Sequence, residues 1–311
     1  MDDNAMPDSH DQNFKNLILD YPRQALELFA PDEAAHLGEE VTFTPIREEQ
    51  LKDRLSDRFL ELDIPLLLEW PDGHREALLF VVEHHTDPSS FSVHKLARYS
   101  LSLAELFHTD RVVPVVIFLK RPRKVPDRIV LGNEFFSYLQ FRYIRCVLPE
   151  LPGEHHMESP NLVARLNLPN MRWPPELKLA IYASAVRGLE SLEGNPDKQA
   201  KYLGFIDIYA RIDNNERMLF EQIYQKEAAT MTGFVERYEA IGKEKGLQEG
   251  LEQGMEKGLE KGLEQGQREA RLATALNLVR KTPMDDATIA DLTGLSEAEI
   301  QALREEDAKR Y

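Results

Sequence analysis

Two carboxylates and an imidazole lie at the ends of two apolar segments of the sequence. Asp63 precedes the run Ile64–Leu68, and Glu83 and His85 follow the run Leu78–Val82. Carboxylate oxygens are the ligands that Mg²⁺ and Mn²⁺ prefer, and a neutral imidazole can accept a proton from water near neutral pH. These residue types could bind a divalent cation through Asp63 and Glu83 and move a proton through His85.

The two apolar segments predict a hairpin. Residues 59–70 and 76–86 are rich in strand-forming residues, and Pro71-Asp72-Gly73 between them is a strong turn signal. A three-residue loop of this kind forms a type I turn followed by a glycine in the left-handed region. That turn places Trp70 opposite His74.

This register predicts which acids share a face of the sheet. Asp63 lies opposite Val81 and Glu61 opposite Glu83, and His85 continues the same face. Asp63 is then the diagonal neighbour of Glu83, at roughly 7–8 Å between Cα atoms. Two carboxylates at that distance can share one cation.

The elements around the hairpin predict an α/β fold with a mixed-sheet core in the order α-β-β-β-α-β. The spacing of apolar residues predicts one or two helices over 11–30, bent near Pro22, and a helix over 91–107. Strands are predicted over 41–46, 111–119 and, with an ambiguous pattern, 135–148. The continuous Val/Ile run of 111–119 is typical of a strand buried on both faces. Glu33, near the first helices, is a further candidate acid.

The chain divides into five predicted zones. These are an acidic disordered tail (1–10), the α/β core (11–149), a helical extension (150–235), a glycine repeat (240–267) and a small helical module (268–311). Asp213 with Glu216, in the extension, has the pattern of a capping box.

Glycines recur every four residues from Gly242 to Gly266, each followed from Gly246 to Gly262 by Leu or Met. Each glycine costs a helix about 0.8–1 kcal/mol relative to alanine, while the Glu, Gln, Lys and Leu between them favour one. Two interpretations stay open, a self-association helix that gives a homo-oligomer through 242–311, and a solvated, partly helical linker. A four-residue repeat drifts about 40° per step around a straight helix, which disfavours a long coiled coil.

The last zone resembles part of a helix-turn-helix, with helices over 288–292 and 296–304 around Thr293-Gly294-Leu295. Ser296 and Glu299 form a second capping-box pattern. The second helix carries several glutamates, which phosphates repel. We therefore favour a packing or assembly module over a DNA-reading one.

A short basic segment contrasts with the rest of the chain. The formal charge is −16, from 38 Lys and Arg against 54 Asp and Glu, so the chain as a whole repels nucleic acid. Five cations nevertheless fall within 120–128, against one acid, Asp127. If DNA binds, Lys120, Arg121, Arg123 and Lys124 are the candidates for contact with its phosphates. The alternative is a solvated loop at the rim of the sheet. No aromatic residue lies in the segment, so base stacking by the segment itself is not expected.

Taken together, the chain resembles the recombination-promoting nuclease/transposase family of bacteria, within the PD-(D/E)XK nuclease superfamily. The resemblance covers most of the chain and rests on the order of seven motifs. These are His10-Asp11-x-x-Phe14-Lys15, Leu62-Asp63-Ile64, Phe80-Val81-Val82-Glu83-His84-His85, His94-Lys95-Leu96-Ala97-Arg98-Tyr99, Val113-Pro114-Val115-Val116-Ile117-Phe118, the glycine repeat, and Leu292-Thr293-Gly294-Leu295-Ser296.

The resemblance implies a restriction-endonuclease-like core and a divalent-metal-dependent DNA endonuclease linked to recombination or transposition. Asp63, Glu83 and His85 would be the catalytic residues, with Asp63 and Glu83 holding Mg²⁺ or Mn²⁺. His85 stands where the superfamily usually has a lysine. Lys95, on the following helix, is a candidate source of that missing charge, and Arg98 and Tyr99 are candidate supporting residues. The alternative is a catalytically weakened relative that acts as an oligomeric interaction or scaffold protein.

Composition predicts the setting of this activity. The start of the chain is acidic and has no apolar segment, which predicts no secretory signal peptide. The single cysteine, Cys146, excludes an intrachain disulfide framework, and the longest apolar runs are too short to cross a bilayer. We expect a cytoplasmic protein with no membrane partner and, besides the metal, no cofactor.

Overall fold

The computed structural model describes residues 7–46, 63–83 and 91–308. The chain splits into two compact units, Met1–Tyr238 and Glu239–Tyr311. The helices of the described residues, apart from short 3₁₀ turns, are α1 (Pro7–Asp20), α2 (Pro22–Phe29), α3 (Pro31–Ala34), α4 (Val93–Phe107), α5 (Leu162–Leu166), α6 (Lys178–Leu192), α7 (Pro196–Ala210), α8 (Asn214–Ile223), α9 (Gln225–Lys281), α10 (Asp286–Thr293) and α11 (Glu297–Ala308). The strands are β1 (Thr42–Pro45), β2 (Asp63–Glu69), β3 (Arg75–Glu83), β4 (Val112–Phe118), β5 (Arg128–Gly132), β6 (Ser137–Arg142) and β7 (Ile144–Val147).

A five-stranded mixed sheet in the order β1-β2-β3-β4-β7 forms the centre of the first unit. The pairs β1–β2 and β2–β3 are antiparallel, and β3–β4 and β4–β7 are parallel. The described elements up to β4 follow the predicted order α-β-β-β-α-β, and the mixed α/β class is confirmed.

The β2–β3 turn has the predicted geometry. The Trp70 amide donates to the His74 carbonyl at 3.0 Å, and the Gly73 amide donates to the Trp70 carbonyl at 2.9 Å. Gly73 has φ +86°, a conformation that favours glycine because it has no Cβ. Asp72 accepts from the His74 amide. The observed pairing of Asp63 with Val81 confirms the predicted register.

Alternating side chains of β2 and β3 fill two separate cores. Leu66, Leu78 and Phe80 belong to a core shared with α1, α2 and the helices of the extension. Leu79 and Val81, on the opposite face, belong to a second core that includes residues of α4. Strand β3 is therefore buried on both faces, and β4 is buried on both faces as predicted.

The prediction of a single strand over 135–148 is wrong, because this segment contains two strands. β6 pairs with β5 in a separate antiparallel hairpin, whereas β7 joins the main sheet beside β4. The chain changes sheet at Tyr143, whose hydroxyl donates to the Pro126 carbonyl at 2.8 Å. The prediction also missed β5, although Gly132-Asn133 between two β-rich runs is a turn signal.

Residues 150–235 are mainly helical, as predicted, and the capping box of Asp213 and Glu216 is present. The glycine repeat is helical throughout, within α9. In the second unit, Ala275 and Val279 of α9 pack against Ile289 of α10 and Ile300 of α11. No described helix is long and apolar enough to span a membrane.

Replacing Phe80 by alanine should lower the free energy of unfolding by about 3–5 kcal/mol, because the ring is fully buried and contacts Phe29. Urea denaturation followed by circular dichroism measures this change. Phe135→Ala is the matched control. Its ring is 79% exposed, so a loss above about 0.5 kcal/mol there would contradict the described exposure.

Cys146 should react with thiol reagents only after unfolding. Burial in β7 raises the pKa of this thiol to about 12, so the reactive thiolate is scarce at neutral pH. Titration with a chromogenic disulfide should find less than one accessible thiol in the native protein and one in denaturant. Rapid native reaction would show that β7 is not seated beside β4.

Candidate active site at one edge of the sheet

One edge of the sheet gathers the end of β3, the start of β2 and the end of β4. Glu83, the last residue of β3, pairs with Phe118 of β4, and the Leu119 amide donates to the Glu83 carbonyl at 2.9 Å. Asp63 begins β2 opposite Val81. The backbone therefore brings Asp63, Glu83 and the residues that follow Leu119 to the same edge.

Glu83 is a buried carboxylate at this edge, with 9% of its surface exposed. By strand alternation it shares the face of Val81 and Leu79, the face that α4 covers. Asp63 is its diagonal neighbour in the register. The side chain of Asp63, and all of His85 and Glu61, lie outside the described residues.

The first turns of α4 lie toward the Glu83 edge. Thr109, just beyond the other end of α4, donates from its hydroxyl to the Arg75 carbonyl at the start of β3, and α4 packs along β3 and β4. The Ser92 hydroxyl caps the helix by accepting from the Lys95 amide. The helix therefore runs antiparallel to β3, and its N-terminal turn carries Lys95.

Two of the three predicted supporting residues, Lys95 and Arg98, lie over the ring of the third, Tyr99. The Lys95 Nζ lies 5.5 Å from the centre of the Tyr99 ring, and the Arg98 guanidinium carbon lies 5.9 Å from it. Tyr99 itself is buried in the core that contains Val81. Its ring packs on the sheet and holds two cations at the N-terminal part of α4.

The predicted phosphate-binding segment begins beside Glu83. Lys120, Arg121, Arg123 and Lys124 are all exposed, and Lys124 adopts a left-handed conformation with φ +53°. Within the described part of the chain, none of these four cations forms an ion pair with a carboxylate. Their charge is therefore available to an anionic ligand.

Sequence reasoning missed an exposed aromatic group close to this segment in sequence. Phe135, Phe136 and Tyr138 lie at the tip of the β5–β6 hairpin and are among the most exposed aromatic side chains described. The signal was present in the sequence as three aromatic residues after the Gly132-Asn133 turn. The prediction of a single strand over 135–148 hides this signal.

Glu33 does not belong to the candidate site. It lies near Glu76, at the start of β3, where its charge helps burial to raise the pKa of the Glu76 carboxyl despite the ion pair with Arg111 at 3.0 Å. Glu76 precedes Glu83 by seven residues along β3, which is roughly 23 Å at the rise of a strand. The suggestion that Glu33 adds a metal ligand is therefore wrong.

The donor set at the Glu83 edge suits a hard divalent cation. Mg²⁺ is commonly held by one or two carboxylates, with water and substrate phosphate completing its octahedron, and the register supplies two carboxylate residues. Among the described side chains, no three His, Cys, Asp or Glu residues converge in a way that could hold a metal. The Asp63 carboxylate and the His85 imidazole are not among the described side chains.

Comparison with known proteins found no family model, no curated protein and no solved structure that matches this chain.

Proposed function

We propose that the chain is a divalent-metal-dependent DNA endonuclease with a restriction-endonuclease-like core. One observation carries the proposal, which is the convergence of Asp63, Glu83 and the exposed basic segment at one edge of the sheet. Acidic metal ligands next to unpaired cations suit a phosphodiester substrate, because the cations hold the phosphates while the acids bind the metal. The family resemblance of the sequence supports the same function.

Each group has a distinct role in this proposal. Asp63 and Glu83 hold Mg²⁺ or Mn²⁺, which when bound lowers the pKa of a water molecule and stabilises charge on the scissile phosphate. His85 accepts a proton from the attacking water. Lys95, held over Tyr99, supplies a positive charge at the site.

The basic segment supplies local positive charge on a chain whose overall charge is negative. A chain of −16 repels DNA at long range, so binding depends on the local field. Residues 120–142 carry six Lys and Arg against two Asp and Glu, a net charge of +4. We therefore propose that DNA approaches the sheet edge from the side of Lys120, Arg121, Arg123 and Lys124.

Glu83→Gln and Asp63→Asn should each lower metal-dependent cleavage of supercoiled DNA by at least about 100-fold, since each removes a ligand charge with little change in volume. Gel assays of nicking and linearisation with Mg²⁺, Mn²⁺ or EDTA measure this loss. Glu69→Gln is the matched control, because Glu69 lies at the far end of β2 and pairs with Arg75. It should cleave like the wild-type protein.

Two outcomes would contradict the nuclease. One is a wild-type protein that cleaves neither supercoiled nor linear DNA with either metal. The other is metal-dependent cleavage that survives in both folded variants, which would assign the activity to another site or to a contaminant.

A second candidate function, an oligomeric scaffold, is favoured by an unusual surface of α9. Its glycine row (Gly242 to Gly266, every fourth residue) is open, since nothing lies within 4 Å of a Cβ added at any of the seven positions. Beside it runs an apolar row whose five side chains are 63–76% exposed, Leu247, Leu251, Met255, Leu259 and Leu263. Exposed apolar rows of this size mark interaction surfaces.

The two rows are complementary to a second copy of themselves. Residues four apart form ridges inclined by about 26° to a helix axis, and two helices whose ridges interdigitate cross at about −50°. The apolar row of one copy can then enter the glycine row of the other, and the reverse. The inclination also accommodates the 40° drift per step that excludes a long straight contact.

Charge favours a parallel arrangement of the two copies. Glu256, Glu260 and Glu264 flank the apolar row, and Lys257 and Lys261 flank the glycine row on its other side. In a parallel two-fold pair, each acidic flank faces the partner's basic flank. An antiparallel pair would place leucine on leucine and glutamate opposite glutamate, which is repulsive.

The double substitution Gly254→Leu and Gly258→Leu should weaken self-association at least about ten-fold, because the new side chains fill the glycine row. The same substitutions raise the helix propensity of α9. Sedimentation equilibrium and circular dichroism separate these effects. Leu292→Gln, which removes an exposed apolar side chain from α10, is the control and should leave the association unchanged.

A wild-type protein that is monomeric at high concentration would contradict this surface as a self-association site. Association that tightens with salt would contradict the parallel arrangement, because attraction between the acidic and basic flanks is screened by salt.

A further inference from the structure

We infer that the β5–β6 hairpin is a base-stacking arm that selects DNA with unpaired or unstacked bases. The hairpin presents three aromatic side chains at its tip, with Phe135 79%, Phe136 67% and Tyr138 74% exposed. The inference rests on the proposed function only in taking DNA as the ligand, since binding by the arm requires neither metal nor cleavage.

The base of the hairpin is anchored to the first unit. Val125, Ile129 and Phe141 pack against the core that contains Leu79 and Val81. The hydrogen bond from the Tyr143 hydroxyl to the Pro126 carbonyl ties the start of the hairpin to its end. The anchored base of the hairpin is therefore a fixed support from which the aromatic tip extends.

The tip is ordered by its own backbone. The Asn133 Oδ1 accepts hydrogen bonds from the backbone amides of Phe135 and Phe136, both at 2.9 Å. The backbone amide of Asn133 donates to the Phe136 carbonyl at 2.9 Å. A Cβ at Gly132 would lie 2.2 Å from that carbonyl oxygen, so only glycine allows this close approach. A backbone already ordered in this way loses little conformational freedom on binding, which favours affinity.

Positive charge lies toward the base of the same hairpin. Arg128 pairs with Arg142 in the register, and alternation places both on the face of Tyr138. In the described part of the chain, neither arginine pairs with a carboxylate. The separation of Tyr138 and Arg142 along the strand is roughly 14 Å, so a bound strand can stack at the tip and contact cations nearer the base.

Stacking rings combined with unpaired cations match a single-stranded nucleic acid. Every base offers a flat face to an aromatic ring, and the backbone supplies evenly spaced negative charge. Intact duplex offers the same phosphates but hides the base faces. The arm therefore favours single-stranded, gapped or distorted DNA over regular duplex, and the basic segment 120–128 leads from it to the Glu83 edge.

The experiment measures binding of labelled oligonucleotides by fluorescence anisotropy in EDTA, with the full chain, so that cleavage plays no part. The wild-type protein should bind single-stranded and gapped DNA more tightly than duplex. Phe135→Ser, Phe136→Ser and Tyr138→Ser together should weaken single-strand binding at least about ten-fold, the equivalent of one lost base stack. They should also abolish the preference over duplex.

Two control variants separate stacking from charge. Replacing the exposed Met218, Leu219 and Ile223 of α8 by serine should leave binding unchanged. Replacing Arg121, Arg123 and Lys124 by glutamine should flatten the salt dependence for single strands by about two log units of affinity per log unit of salt. The aromatic variant should keep the wild-type salt dependence of binding. A purely electrostatic role of the hairpin tip would not explain a loss of affinity with an unchanged salt dependence.

A further variant reports stacking directly. Phe136→Trp should retain affinity, and its fluorescence should be quenched when single-stranded DNA binds. Wild-type affinity in the aromatic variant, or a wild-type protein that binds no DNA, would overturn the inference. So would aromatic-dependent binding to vesicles of anionic phospholipid without binding to DNA. Hairpin-dependent DNA binding without cleavage would uphold the arm and reject the nuclease.

Discussion

Strand β3 lies between an antiparallel neighbour, β2, and a parallel neighbour, β4, and it is buried on both faces. A strand with no solvent-facing side cannot slip by one residue without moving its apolar side chains between two different cores. The register of Asp63 opposite Val81 and of Glu83 opposite Phe118 is therefore fixed by burial. The placement of the candidate site follows from this register, since the acids lie where β3 leaves the core.

The two ends of β3 have opposite electrostatic character. At its start, the buried Glu76 forms an ion pair with Arg111. The negative charge of Glu33 helps to raise the pKa of the Glu76 carboxyl. At its end, Glu83 lies next to a segment of exposed cations that no described carboxylate neutralises. The second end carries these exposed cations beside a buried carboxylate, and this is the arrangement on which the proposed nuclease depends.

The two surfaces proposed for binding differ in kind. The β5–β6 hairpin combines aromatic rings with positive charge, which suits a nucleic-acid strand. The α9 repeat combines an apolar row with a glycine row and flanks of both signs, which suits a second copy of itself. An oligomer formed through α9 would present two hairpins and two sheet edges, and repeated sites on one particle raise the effective concentration of DNA at each.

The sequence by itself determined the hairpin of β2 and β3, its turn, its register and the mixed α/β class. Local signals were enough there, because Pro71-Asp72-Gly73 sets the turn and strict alternation sets the faces. The same is true of the capping boxes at Asp213 and Ser296, whose hydrogen bonds join residues three apart.

Tertiary structure decided what depends on distant partners. The change of sheet at Tyr143 is fixed by a bond to Pro126 and by the space beside β4, which no local pattern of 135–148 reveals. Glu33 acts on Glu76, where its charge helps to raise the pKa of that carboxyl, and no local pattern reveals that it lies toward this end of β3. The exposure of Phe135, Phe136 and Tyr138 likewise depends on the tertiary structure, because large aromatic residues are usually mostly buried, whereas the described part of the chain leaves these three exposed.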